Sequence, residues 1–393
     1  MKSFDLARLH QKLYQEAPTL FLYTPGRVNL IGEHIDYNGG LVLPFAITKG
    51  TYVMANKRSD CKINCYSQNF SDLGVVSFDI NHYQKDNNWV DFVKGALYEL
   101  KKERFIPSFG INLTFLGTIP TSSGLSSSAS LEVSIFNTLK RMYNLDLDDE
   151  KIALMSRAIE HDFIGVNCGI MDQYIISCAK DNSVMLLNCS NLEHKYSSFD
   201  LGDYKILIMN SLKKRDLAAS KYNERLDECK KALNIVKLHY QVDDLCSLSV
   251  FDLIHIRDEF KDEVLYKRAY HCASEMARVK DCYNALLNDD LVTVGKLLNQ
   301  SHASLKDLYE VSCLELDTLV EEAKKMPSCL GARMTGAGFG GCAIAIIKDE
   351  EVDKAIKDIS KAYKDKIGHE CEIYVASVAG NTKELDLEKD YEL

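Results

Sequence analysis

Apolar residues return at helical spacing in several separate stretches of the chain. Over 222–237 they fall at Leu226, Cys229, Leu233 and Val236, and a period near 3.6 predicts an amphipathic helix. The stretch 291–305 reads the same way. Leu131, Ile135, Leu139 and Met142 mark another helix, with Lys140 and Arg141 at its far end, where cations complement the helix dipole. Val90, Val93, Leu97 and Leu100 form an apolar stripe after Trp89. Near the carboxyl end, CAIAII (342–347) predicts a short buried strand and 373–378 a second one. Between them Val352, Ile356, Ile359 and Tyr363 predict an amphipathic helix. A strand–helix–strand unit implies that the second half carries a sheet of its own. Strand-like runs and glycine turns concentrate before residue 190, whereas 210–330 reads mainly as helix. The six prolines include Pro25, Pro44, Pro107 and Pro120, and none lies in a proline-rich linker. Two lobes with a continuous interface are expected, divided as 1–190 and 191–393.

Composition narrows the function classes. At 393 residues, 46% hydrophobic and 26% charged, the chain has ample apolar area for a packed core. A net charge of −10 without a long basic run argues against a nucleic-acid partner. No stretch approaches the ~18 apolar residues of a membrane span, and residues 1–10 lack the apolar run of a secretory signal. The thirteen cysteines are odd in number and scattered, with no Cys-x-x-Cys. Free thiols in a reducing, cytoplasmic setting are expected rather than a disulfide framework or a zinc site.

Four segments have candidate chemistry. TPGRVNLIGEHIDYN (24–38) packs Arg27, Glu33, His34 and Asp36 around glycines that permit sharp turns. Such a set suits a metal site, a catalytic dyad, a hydrogen-bonding cup for a polyol, or an ordinary polar hairpin. GTIPTSSGLSSSAS (117–130) sets small residues and hydroxyls before a helix, which exposes unpaired amides as an anion cradle; its bland counterpart is a serine-rich linker with a serine cap. In MTGAGFGGC (334–342) the glycines precede a strand instead of following one, which excludes a dinucleotide fingerprint and leaves a glycine turn abutting a ligand or another loop. EHDFIGVNCGIMDQ (160–173) puts Glu160 near a helix end and Asp172 beyond a glycine turn. A P-loop motif and the protein-kinase signatures are both lacking.

Together these segments carry a family resemblance. GRVNLIGEHIDYN (26–38), followed by Val42-Leu-Pro44, resembles the galactokinase signature. GLSSSAS (124–130) and TGAGFGG (335–341) resemble the second and third motifs of the GHMP small-molecule kinases, and CGIMDQ (168–173) the galactokinase catalytic-aspartate segment. The motifs stand in the family's order. The resemblance implies an α+β, two-lobed GHMP kinase fold with its active site in the cleft between the lobes. It implies transfer of the ATP γ-phosphoryl group to the C1 hydroxyl of galactose, the opening step of galactose catabolism. By position, Asp172 is then the catalytic base and Arg27 the stabiliser of the transferring group. Glu33, His34, Asp36, Gly169, Asp172 and Tyr222 would bind the sugar. Ser122, Ser123, Gly124, Leu125, Ser126, Ser127 and Ser128 would form the nucleotide phosphate loop, with Ser67 and Trp89 at the nucleoside end. Ser128 and Glu160 would ligate magnesium (Mg2+). A monomer is expected rather than an obligate oligomer.

Three departures from the family wording stand out: Thr121-Ser122-Ser123 in place of glycine-rich residues, Val166-Asn167 in place of a proline-containing pair, and Lys213-Lys-Arg215 ahead of the tyrosine segment. The first leaves open a kinase for N-acetylgalactosamine. A non-catalytic sensor of galactose and ATP is the alternative from another class.

Overall fold

A computed structural model describes residues 1–120, 124–166, 168–213 and 218–393. Among them, three sheets organise the molecule. The largest has seven strands. Its path runs Lys383–Glu384, Leu20–Asn29, Pro44–Lys57, Ile111–Gly117, Lys62–Ser67 and Val76–Asp79, and Val378–Ala379 also pairs with Pro44–Lys57. Lys62–Ser67 runs parallel to Ile111–Gly117, which demands a long crossover. That crossover contains the helix Asp91–Lys102, whose Val93, Ala96, Leu97 and Leu100 are buried, as the stripe after Trp89 predicts. The second sheet is antiparallel in the order Gly331–Thr335, Cys342–Lys348, Tyr204–Asn210, Glu372–Ala376. Leu41–Val42, Ser183–Asn188 and His194–Ser198 make the third.

The expected helices form close to their predicted limits: Ser127–Tyr143, Ala218–Val236, Leu291–Asp307 and Val352–Ile367. Ile359 and Tyr363 of the last are buried, and its flanking strands both pair with Tyr204–Asn210. The helical half and the second sheet share one apolar core with Val28, Leu30, Ile31, Leu43, Phe45 and Ile47 from the first half, so the two halves meet across a continuous interface. The division at 190 does not extend to the carboxyl end. Val378–Ala379 and Lys383–Glu384 return to the first sheet, so one lobe is closed by residues from both ends of the chain.

One irregularity positions the chemistry. The register of Leu20–Asn29 against Pro44–Lys57 shifts between Pro25 and Gly26. Such a bulge turns the strand locally and re-aims the side chains after it. Arg27 follows immediately.

Candidate active site

A cavity of about 570 Å³ lies where the motifs meet. Arg27, Glu33, His34, Asp36, Ser128, Glu160, Gly169, Asp172 and Tyr222 all line it, although they span nearly two hundred positions of sequence. Tyr37, Cys168, Met171, Gln173, Asn223, Leu226, Gly336 and Ala337 complete the wall. Sequence reasoning missed the last group. Tyr37, Gln173, Gly336 and Ala337 sit inside the quoted motifs, so their position was a usable signal, but nothing about an isolated tyrosine or alanine announces a cavity.

The centre of the site is a two-pronged ion pair. Arg27 donates from Nε to Asp172 Oδ1 and from Nη2 to Asp172 Oδ2, both at 2.7 Å. Parallel bonds of this kind fix direction as well as charge. The third guanidinium nitrogen, Nη1, donates to the Gly124 carbonyl at 2.9 Å, so one side chain ties the first strand to the phosphate loop and the aspartate. Asp172 is on the first turn of the helix Met171–Cys178. Its Oδ2 also accepts from the Ser126 hydroxyl.

Ser126 bears on the two readings of the serine run. It is the N-cap of Ser127–Tyr143, with φ 59° and ψ 51°, and its side chain makes no capping bond. A serine in left-handed backbone is uncommon, and such residues cluster at functional sites. Because the hydroxyl is turned to Asp172, the first amides of the helix have no side-chain cap from it. The terminus stands beside the cavity that Ser128 lines, and an uncapped helix amino terminus suits an anion. Leu125 is buried, whereas Ser127 and Ser128 line a second, apolar cavity of about 170 Å³. Ser67, Phe70, Trp89 and Phe115 line that cavity too, and Trp89 lies nearly parallel to Phe70, 13° between planes. Ser128 lines both cavities, which makes it the point where they meet. Ser122 and Ser123 lie outside the described residues, as do Asn167 and residues 214–217.

Glu160 reaches the cavity from an irregular turn. The helix Asp149–Ala158 continues into a wider π turn, Ile159–Ile164, a feature that recurs at functional sites. Behind Glu160 lies Glu132, fully buried and bonded through Oε2 by Gln173 Nε2 at 3.1 Å. Burial first, then the nearby Glu160 charge, push the Glu132 carboxyl well above the usual carboxylate range. Glu132 stands four residues after Ser128 on the same helix face, a spacing from which it was predictable.

The polar wall is tightly organised. Glu33 Oε1 accepts from Thr335 Oγ1 at 2.9 Å and from the Gly336 amide at 2.7 Å, with Arg333 Nη2 at 3.2 Å. His34, with φ 63°, is clamped between Tyr37 and the Ala337 carbonyl. Burial pushes its imidazole down to about 4, which keeps the ring neutral near pH 7. Asp36 is raised to about 7, by burial first and then by Glu33 and Asp172. Tyr222 packs within 5.7 Å of the His34 ring and 5.4 Å of the Tyr37 ring. The third-motif loop is the glycine turn the sequence predicts: Gly336, Gly338, Gly340 and Gly341 all have positive φ. It abuts the loop at Val311, whose carbonyl accepts from the Phe339 amide at 2.8 Å.

The chain is similar to known proteins over nearly its whole length. Residues 8–57 match the family profile described as the galactokinase galactose-binding signature. Residues 91–180 match the GHMP kinases N terminal domain and 283–365 the GHMP kinases C terminal. A galactokinase of Clostridium perfringens is 46% identical over 374 residues, 95% of this chain and 97% of that one. One from Staphylococcus carnosus is 42% identical over 377 residues, again 95% and 97%. The crystal structure of Lactococcus lactis galactokinase complexed with galactose superposes with a TM-score of 0.90 at 40% identity, covering 97% of this chain and 99% of that one. A mevalonate kinase at 22% identity shares the fold, with a TM-score of 0.68. Relatives this similar over nearly the whole length, matching the motifs whose residues converge on one cavity, make the chain a member of the galactokinase family within the GHMP kinases.

Proposed function

We propose that the protein transfers the γ-phosphoryl group of ATP to the C1 hydroxyl of galactose, giving galactose 1-phosphate and ADP. The observation that carries this reading is the Arg27–Asp172 pair on the wall of the main cavity, beside an uncapped helix amino terminus. Asp172 takes the proton from the sugar hydroxyl. A loose phosphoryl transition state asks the protein mainly for alignment and charge, and Arg27 supplies charge beside that carboxylate. Glu33, His34, Asp36, Gly169 and Tyr222 hold the sugar. The amides of Gly124 to Ser128 cradle the phosphates, and the apolar cavity of Ser67 and Trp89 takes the nucleoside.

The donor set also suits magnesium. Among the described residues no group of three or more His, Cys, Asp or Glu is placed to cage a metal. Mg2+ needs no such cage, since it keeps waters and shares phosphate oxygens with one or two protein ligands. Ser128 and Glu160, both on the main cavity, are those ligands in this reading. When bound, the ion offsets phosphate charge. None of the thirteen cysteines is in a disulfide, which suits a reducing cytoplasmic setting. Among the described residues no helix is long and apolar enough to cross a membrane.

The test is ADP release with MgATP across a sugar panel, with phosphorus NMR of the product. Galactose is expected to turn over fastest and to give the 1-phosphate. Faster turnover of N-acetylgalactosamine would overturn the substrate assignment, and binding of both ligands without ADP release would make the chain a sensor.

A further inference from the structure

Behind the sugar wall, four polar contacts run in a line. His34 Nε2 lies 3.1 Å from the Ala337 carbonyl oxygen and His34 Nδ1 lies 2.7 Å from the Tyr37 hydroxyl. That hydroxyl is 2.9 Å from the Tyr309 hydroxyl, which is 3.0 Å from Cys229 Sγ. A carbonyl oxygen only accepts, so Nε2 carries the imidazole proton. The ring is neutral near pH 7, so Nδ1 is an acceptor. Tyr37 therefore donates to Nδ1 and accepts from Tyr309, which in turn accepts from the Cys229 thiol. One carbonyl sets the sense of every proton in the line. Asn38 closes it, donating from Nδ2 to the His34 carbonyl at 2.9 Å and reaching Cys229 Sγ at 3.6 Å.

We propose that Tyr309 and Cys229, neither of which lines the cavity, are positioning residues for sugar binding that act on His34 through the Tyr37 hydroxyl. This rests on the sugar role given to His34. Tyr309 is completely buried, and its ring packs 5.0 Å from His34 and 4.4 Å from His271. Its carbonyl accepts from Arg225 Nε at 2.8 Å. Two residues on, Val311 holds the glycine loop that carries Ala337. Cys229 lies on the same helix as Tyr222 and Leu226, which face the sugar space. The line thus joins the first motif, the third motif and the tyrosine helix into one unit of fixed hydrogen-bond polarity. A wall with settled donors and acceptors discriminates hydroxyl arrangements, because a mismatched sugar leaves buried groups unpaired.

Two measurements test this on the full chain. In protein carrying 15N-histidine, free of sugar, the His34 Nδ1 resonance should sit where a hydrogen-bonded acceptor nitrogen does. Tyr309→Phe, which removes the donor to the Tyr37 oxygen and so weakens the Tyr37–Nδ1 bond, should move it part of the way toward the unbonded value. The same variant should raise the galactose KM about 3- to 10-fold, the worth of one net hydrogen bond, with kcat and the ATP KM nearly unchanged. Cys229→Ala should reproduce both effects more weakly, and Cys229→Ser, which keeps a donor, should restore them. An unmoved Nδ1 resonance in Tyr309→Phe would overturn the relay. A moved resonance with an unchanged galactose KM would overturn its service to the sugar while leaving the role of His34 standing. Equal losses in Cys229→Ser and Cys229→Ala would reduce the line to packing.

Discussion

Asp172 has a negative charge to share among its partners, and the way they divide it sets its chemistry. Arg27 grips both oxygens, and Ser126 adds a third bond on Oδ2. Asparagine in its place keeps the shape but loses the capacity to take a proton. Asp172→Asn is expected to lower kcat roughly 10²- to 10⁴-fold while ATP binding, read by calorimetry, stays near the parent value. Retention of most of the turnover would remove the base assignment. Asp36 provides a pH signature. Its carboxyl titrates at about 7 in the sugar-free fold against 3.8 for an ordinary aspartate, so the native state holds its proton more tightly than the unfolded chain. The stability this confers is present below about pH 4 and is lost as pH rises through 7. Asp36→Asn has no such loss. Its melting-temperature advantage over the parent should grow from pH 4 to pH 7 and then level off, and the free energy behind it is at most roughly 4 kcal/mol. An advantage that shrinks over that range would contradict the assignment. At this scale the residues of 24–38 left an ordinary polar hairpin open, and it was the resemblance of four motifs in family order that made them legible. Tyr309 was not, since its partner Tyr37 is 272 positions away and its own surroundings in sequence hold no polar pattern.

Elements bring these side chains together by small departures from regularity. The bulge at Pro25 and Gly26 aims Arg27, the π turn at Ile159–Ile164 aims Glu160, and the left-handed Ser126 frees a helix terminus. The periodicities at 131–142, 222–237 and 352–367 predicted the helices, because one face of each is buried against a sheet or another helix. They could not predict the departures, which carry no period. The glycine loop is the sharpest case. Gly338 has φ 77°, and a Cβ there would stand 2.2 Å from the Val311 carbonyl oxygen. Gly368 has φ 91° with nothing within 4 Å of such a Cβ. Gly368→Ala should therefore cost only the left-handed backbone penalty, about 1–2 kcal/mol. Gly338→Ala should cost clearly more in urea unfolding and also raise the galactose KM, since Ala337 moves with it. Equal destabilisation of the two would show that the Val311 contact yields freely.

Across the whole molecule, the two halves are one packed body with a site at their junction. The family resemblance of the motifs, in their order, made a two-lobed kinase legible, and the apolar core shared by Val28–Ile47 and the second sheet joins its halves without a gap. The return of the carboxyl end was not legible. Lys383–Glu384 is too short to carry a strand pattern, and its pairing with Leu22 and Tyr23 is a matter of long-range geometry alone. Leu385, Leu387, Tyr391 and Leu393 then pack on Leu6, Phe21 and Met54. Ending the chain after residue 382 should lower stability by a few kcal/mol, from lost apolar burial and an uncovered strand edge. The urea midpoint measures it, and an unchanged midpoint would mean the tail is ornamental. The same arrangement bears on biosynthesis. Leu20–Asn29 is synthesised about 350 residues before its outer neighbour Lys383–Glu384. Over that interval the nascent first sheet lacks its outer strand, and its open edge is free to pair with strangers.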